Sequence, residues 1–137
     1  GSQVLVVTTP QPTVAEVSER AGTMASMLHQ GVIGVVENMS WFDTICPDCH
    51  QQHRVEIFGS GGGRRTADAL SQRLGREVPL LAQVPMDLAV MTGGESGAPV
   101  MTTDPELPSA RVFRALADHL ASTRPSLAGR PLGLQVH

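Results

Sequence analysis

The sequence has no lysine and no tyrosine, and its 137 residues include one tryptophan, three phenylalanines and two cysteines. The missing lysine removes an essential part of a G-x-x-x-x-G-K-[ST] phosphate loop. No such pattern occurs, which argues against nucleotide hydrolysis by these residues alone. All ten basic residues are arginines that form no run beyond Arg64-Arg65, and the net charge is −3. That balance gives neither a nucleic-acid footprint nor a membrane-surface patch. No apolar stretch approaches the ~18 residues that a membrane-crossing helix needs. Two cysteines three positions apart exclude a disulfide scaffold and suit a reducing, cytoplasmic setting. With so few aromatic rings, the core falls to aliphatic residues and methionine, as in α/β packing.

The apolar pattern then sets out one domain over residues 3–123, preceded by Gly1-Ser2, which reads as a remnant of cloning, and followed by a Pro/Gly-rich tail at 124–137 expected to be disordered. Gln3 to Thr8 is a continuous β-branched run, predicting a strand covered on both faces. Thr13-x-x-Glu16 predicts a capping box, followed by a helix whose inward stripe is Val14, Val17, Ala21, Met24, Ala25 and Leu28. Val32 to Val36 predicts a second strand and closes a βαβ unit. Further on, the spacing predicts a short strand at Val55 to Phe58 and a helix over Thr66 to Leu74 with Ala67, Leu70 and Leu74 inward. A strand at Val78 to Val84 follows, then a short helix reaching Met91, a loop at Gly93 to Pro99, and a helix from Ser109 to Ala121.

Three buried parallel strands are few for a sheet that must be covered on both faces. The pattern therefore predicts the C-terminal half of a larger doubly wound, mainly parallel α/β sheet with flanking helices.

Residue types that bind metals or tighten loops concentrate between Val36 and Gly63. Cys46-Pro47-Asp48-Cys49 places two thiols at a spacing that grips one metal centre, and a tetrahedral ion wants four ligands. His50 and His53 could complete a zinc site within one chain, or a second copy of the chain could supply two more thiolates about a two-fold axis. C-x-x-C-H also matches a haem-attachment motif, a C-x-x-C can serve as a redox pair, and two loop cysteines can be inert. Gly59-Ser60-Gly61-Gly62-Gly63 lacks the third glycine of a dinucleotide fingerprint, since Arg64 stands there, and reads as a tight turn. Asn38 ends a buried strand, where an Asn can face a ligand or close its own turn. Trp41 and Phe42 read as packing that anchors the metal loop.

Taken together, VVTTPQ at Val6 to Gln11, VENMS at Val36 to Ser40, CPDC at Cys46 to Cys49, IFGSGGG at Ile57 to Gly63 and VPMD at Val84 to Asp87 resemble, in order and spacing, the C-terminal half of Mrp/ApbC-type iron–sulfur cluster carrier ATPases. These are similar to the MinD/ParA group of deviant P-loop ATPases. The resemblance covers Val4 to about Ala121. It implies a homodimer that binds a bridging four-iron, four-sulfur cluster through Cys46 and Cys49 and delivers it to apo iron–sulfur proteins. It also implies that the full-length protein uses ATP and magnesium, with Asn38, Pro85 and Asp87 contacting adenine. The sequence departs from the family where the phosphate loop is absent, and where His50 replaces the Gly common after the second Cys. A zinc-binding interaction module is the competing reading.

Overall fold

The β-branched runs pair in parallel. β1 (Gln3–Thr8) lies beside β2 (Gly31–Glu37), and β5 (Leu80–Gln83) lies on the other side of β2, giving the order β1-β2-β5 in a computed structural model that describes residues 2–123. The α/β class with a parallel sheet and flanking helices is the one the sequence predicts. Gly1 and the tail at 124–137 lie outside the described residues. Central β2 carries the burial, with Val32, Val35, Val36 and Glu37 all inside. β1 departs from the expectation of a strand covered on both faces, because Val7 is 57% exposed while Val6 and Thr8 are buried. The third strand is shorter than Val78 to Val84, although Val78 and Val84 at its flanks are both buried.

α1 (Pro12–Met27) corrects the predicted capping box. Pro12 takes the first helical position, where its missing N–H costs nothing and its fixed φ suits the helix. The cap is therefore Gln11, without a side-chain bond, and Thr13 lies inside the first turn. The inward face is also rotated: Ala15, Ser18, Gly22 and Ala25 are buried, while Val17, Met24 and Leu28 are about two-thirds exposed. Small residues win because α1 lies close to α2 (Gly62–Leu74); a Cβ at Gly22 would sit 2.8 Å from a Leu70 methyl. Ser18 donates its hydroxyl to the Val7 carbonyl, so it is buried with a partner.

α2 starts four residues earlier than predicted, at Gly62, and its expected inward residues Ala67 and Leu70 are fully buried, joining Val6, Val32, Val35 and Val78 in the core. Gly75 ends it in the left-handed conformation. Gly62 and Gly63 fit where no side chain could: a Cβ at Gly63 would meet the Glu37 Cβ at 2.7 Å. Through this gap the Gly63 N–H donates to Glu37 Oε2 at 2.6 Å, and Gln83 Nε2 donates to Oε1 at 3.1 Å. A buried carboxylate at a helix N-terminus, accepting from two donors, is held by charge-assisted bonds. Glutamine offers one acceptor where two are needed, so Glu37→Gln is expected to lower stability by about 1–3 kcal/mol. Urea unfolding checks this, and an unchanged midpoint would contradict it.

The loop between β2 and α2 folds as an antiparallel hairpin, β3 (Phe42–Ile45) and β4 (Gln52–Val55). The strand predicted at Val55 to Phe58 therefore lies earlier in the chain, and Ile57-Phe58 is a turn. α3 (Leu88–Ser96) runs through Gly93 and Gly94, which the sequence placed in a loop. Gly93 serves close approach there, since a Cβ would stand 2.5 Å from the Ala98 carbonyl oxygen. α4 (Val100–Thr103) leads to α5 (Pro108–Thr123), which packs along β5. No helix among the described residues is long and apolar enough to cross a membrane.

Candidate metal centre

The β3–β4 register pairs Thr44 with His53 and Ile45 with Gln52, so the Cys46–Gln51 connection forms the hairpin tip. Two backbone bonds close that tip: the Cys46 N–H donates to the Gln51 carbonyl and the His50 N–H to the Cys46 carbonyl, both at 2.9 Å. His50 closes the turn at φ +57°, a left-handed conformation that glycine adopts without strain. Both cysteines are free thiols; Cys49 is exposed and Cys46 half-buried. Cys46, Cys49 and His53 place their donor atoms within 4.8 Å of one another, and Cys49 Sγ lies 3.5 Å from His53 Nε2. Of the two histidines weighed from the sequence, His53 joins the thiols, and His50 stands outside that group.

The Cys46 thiol is held below its ordinary pKa, chiefly by the Cys49 backbone N–H, then by that of Asp48 and by the Cys49 side chain. The folded loop thus favours the thiolate, the form that binds metal. In metal-free protein, alkylation of Cys46 is expected to have a pH midpoint below the ~8.5 of an unstructured thiol, and urea should raise it back. Peptide-resolved mass spectrometry after iodoacetamide treatment measures both midpoints; equal values would contradict the role of the backbone donors.

Beside the hairpin lies a cavity of about 320 Å³ lined by Asn38, Phe42, Pro85, Asp87, Leu88 and Met91 among others. The three residues that the resemblance assigns to adenine therefore share one wall system. Asn38 Oδ1 accepts from the Met39 N–H at 2.9 Å, the local turn bond. Asp87 caps α3 through Oδ1, accepting from the Ala89 N–H, and accepts the Ser109 hydroxyl at Oδ2. Asp87 thus lines the cavity with both carboxylate oxygens engaged within the fold. Phe42, read as an anchor, lines this cavity and is 38% exposed. Trp41 does anchor the hairpin: the Arg54 guanidinium of β4 stacks 3.8 Å over its ring, and its carbonyl accepts the Met86 N–H at 2.7 Å.

A family model described as ParA, NUBPL iron-transfer P-loop NTPase, matches residues 1–121. The chain belongs to this family. An iron-sulfur cluster carrier protein of Mycobacterium tuberculosis is 44% identical over 133 residues, covering 97% of this chain and 34% of that protein. Proteins of the same name from Synechocystis sp. and Pyrococcus horikoshii are 38% and 32% identical, over 85% and 91% of this chain. The chain spans about a third of the length of the curated relatives it matches. In fold it is similar to the cell division ATPase MinD of Pyrococcus furiosus, with TM-score 0.66, 22% identity, and coverage of 90% of this chain and 44% of that one. MinD of Pyrococcus horikoshii with Mg-ADP superposes with TM-score 0.63 at 20% identity, covering 88% of this chain and 41% of that one.

Within this family's VENMS stretch, the sequence pattern gave no role to Glu37. An acidic residue closing an otherwise apolar strand was the available signal. The cavity residues Met39 and Met91 carried no comparable mark, because methionine at such positions reads as core filler.

Proposed function

We propose that the chain carries iron–sulfur clusters as cargo, each cluster a four-iron, four-sulfur unit held between two copies of the chain by Cys46 and Cys49 of each. The observation that supports this most is the hairpin tip, which presents two converging thiols to solvent. One chain has only two thiolates, whereas a cubane cluster takes four, and a two-fold axis through the tips supplies them. Exposure suits cargo: a ligand pair at a loop tip can meet an apo iron–sulfur protein and exchange ligands with it.

In the longer protein, ATP with magnesium drives loading or release in the cytoplasm. Asn38, Pro85 and Asp87 border a cavity whose apolar walls and amide fit a purine face and edge. The donor set for the phosphates is a different matter: no glycine–lysine loop stands among these 137 residues, so phosphate chemistry belongs to other parts of the protein. Anaerobic reconstitution with iron and sulfide tests the carrier reading. A brown species with about four irons per two chains, at dimer mass, is expected. Colourless monomer without sulfide would refute it.

A further inference from the structure

The donors at the hairpin tip outnumber what a bridging cluster uses. Two chains would bring four thiolates, and in each chain the His53 imidazole stands beside its own two thiols. A separate observation concerns spacing. Zinc-type bonds of about 2.3 Å to sulfur and 2.0–2.1 Å to nitrogen set a sulfur–nitrogen edge of about 3.6 Å in a tetrahedron. Cys49 Sγ and His53 Nε2 stand 3.5 Å apart in the folded chain. A sulfur–sulfur edge in the same geometry is about 3.8 Å, and Cys46 Sγ lies within 4.8 Å of both other donors. From the 4.8 Å limit, no edge of the tip needs to shorten by more than about 1.2 Å to close on one ion.

From this we infer that a single chain forms a mononuclear site for a borderline-soft divalent transition ion. Cys46 Sγ, Cys49 Sγ and His53 Nε2 ligate the ion, and the fourth position is open. The thiolate–imidazole set selects zinc-like ions over the oxygen-loving magnesium or calcium. Hairpin register makes the tripod possible: β4 returns His53 opposite Thr44, under the Cys46–Cys49 turn. His50 is adjacent in sequence but holds the left-handed turn position and lies outside the donor group. Because the ion occupies the same two thiolates, it competes with cargo: a chain closed on its own ion cannot share those sulfurs across a two-fold axis. That competition rests on the carrier reading above; the single-chain site does not.

The test uses cobalt(II) as the probe ion, titrated anaerobically into the metal-free chain. Thiolate-to-cobalt charge transfer and the intense visible bands of four-coordinate cobalt are followed, and native mass spectrometry counts ions per chain. One cobalt per monomer is expected, displaced by zinc. His53→Ala should weaken binding by about a hundredfold, the share of one ligand in a zinc-type site. His50→Gly, which removes an imidazole while suiting the positive φ, should leave affinity within about twofold. Circular dichroism of each variant establishes that it is folded. Absence of cobalt binding, one cobalt per two chains, an unchanged affinity in His53→Ala, or an equal loss in His50→Gly would each overturn the inference. In cluster reconstitution, equimolar zinc should suppress loading of the parent chain and suppress it less in His53→Ala. If no cluster forms even without zinc, the carrier reading fails, while the cobalt titration still decides the single-chain site.

Discussion

In Cys46→Ser, cluster loading under anaerobic reconstitution is expected to fall to background, and the sample to remain at monomer mass. Both copies of a dimer carry the change, so two of four thiolates disappear at once, and serine hydroxyls are poor replacements for soft ligands. Stability should hardly change. The tip lies on a two-stranded sheet separate from the parallel one, and Cys46 is only half-buried. Surface changes of this kind stay within about 0.5 kcal/mol. Iron, sulfide, molar mass and the urea midpoint, measured on one preparation, separate the outcomes. Retained cluster and dimer mass would show that Cys46 is not a bridging ligand.

Gly62→Ala is expected to cost about 3 kcal/mol, at the upper end for a single added methyl in a packed site. The new Cβ would collide with the backbone oxygen of Thr9 and stand 2.6 Å from that of Pro10. Neither can swing away as a side-chain end could, so the start of α2 must lift from the loop after β1. Lifting it also strains the Gly63–Glu37 bond, which begins one residue later. Gly94→Ala is the matched control. It lies in α3 with nothing within 4 Å of its Cβ position, and should be neutral or stabilising by up to about 1 kcal/mol. Chemical unfolding of both variants decides the matter. A wild-type midpoint for Gly62→Ala would mean that the close approach of loop and helix is not maintained in solution.

The parallel sheet was legible because its strands are short β-branched runs, and α2 because Ala67, Leu70 and Leu74 recur at helical spacing. The hairpin was not, for a physical reason. β3 and β4 expose most of their side chains, so no apolar alternation marks them, and Val55, Ile57 and Phe58 drew the strand prediction downstream. α1 was legible as a helix but not in orientation. Its large apolar residues look outward, while its close-packed face is made of Ala15, Ser18, Gly22 and Ala25, which hydropathy alone ranks low. Gly93-Gly94 misled in the same way: glycine was read for its flexibility, and its lack of a side chain mattered more. Within the site, the cysteine spacing marked the candidate metal centre, where the fold does bring donor atoms together. Choosing between His50 and His53 required the hairpin register, which no spacing rule supplies.

The hairpin and the cavity share a wall. Phe42 opens β3 and lines the cavity, the Trp41 carbonyl before it accepts the Met86 N–H, and Ser40 N–H donates to the Val84 carbonyl. An occupant of the cavity would touch Phe42, on the strand that leads, four residues on, to Cys46. Thermodynamic linkage makes this reciprocal: whatever factor a cavity ligand imposes on metal affinity at the tip, the metal imposes on the ligand. Any such coupling would run along β3, from Phe42 at the cavity to the turn that carries Cys46.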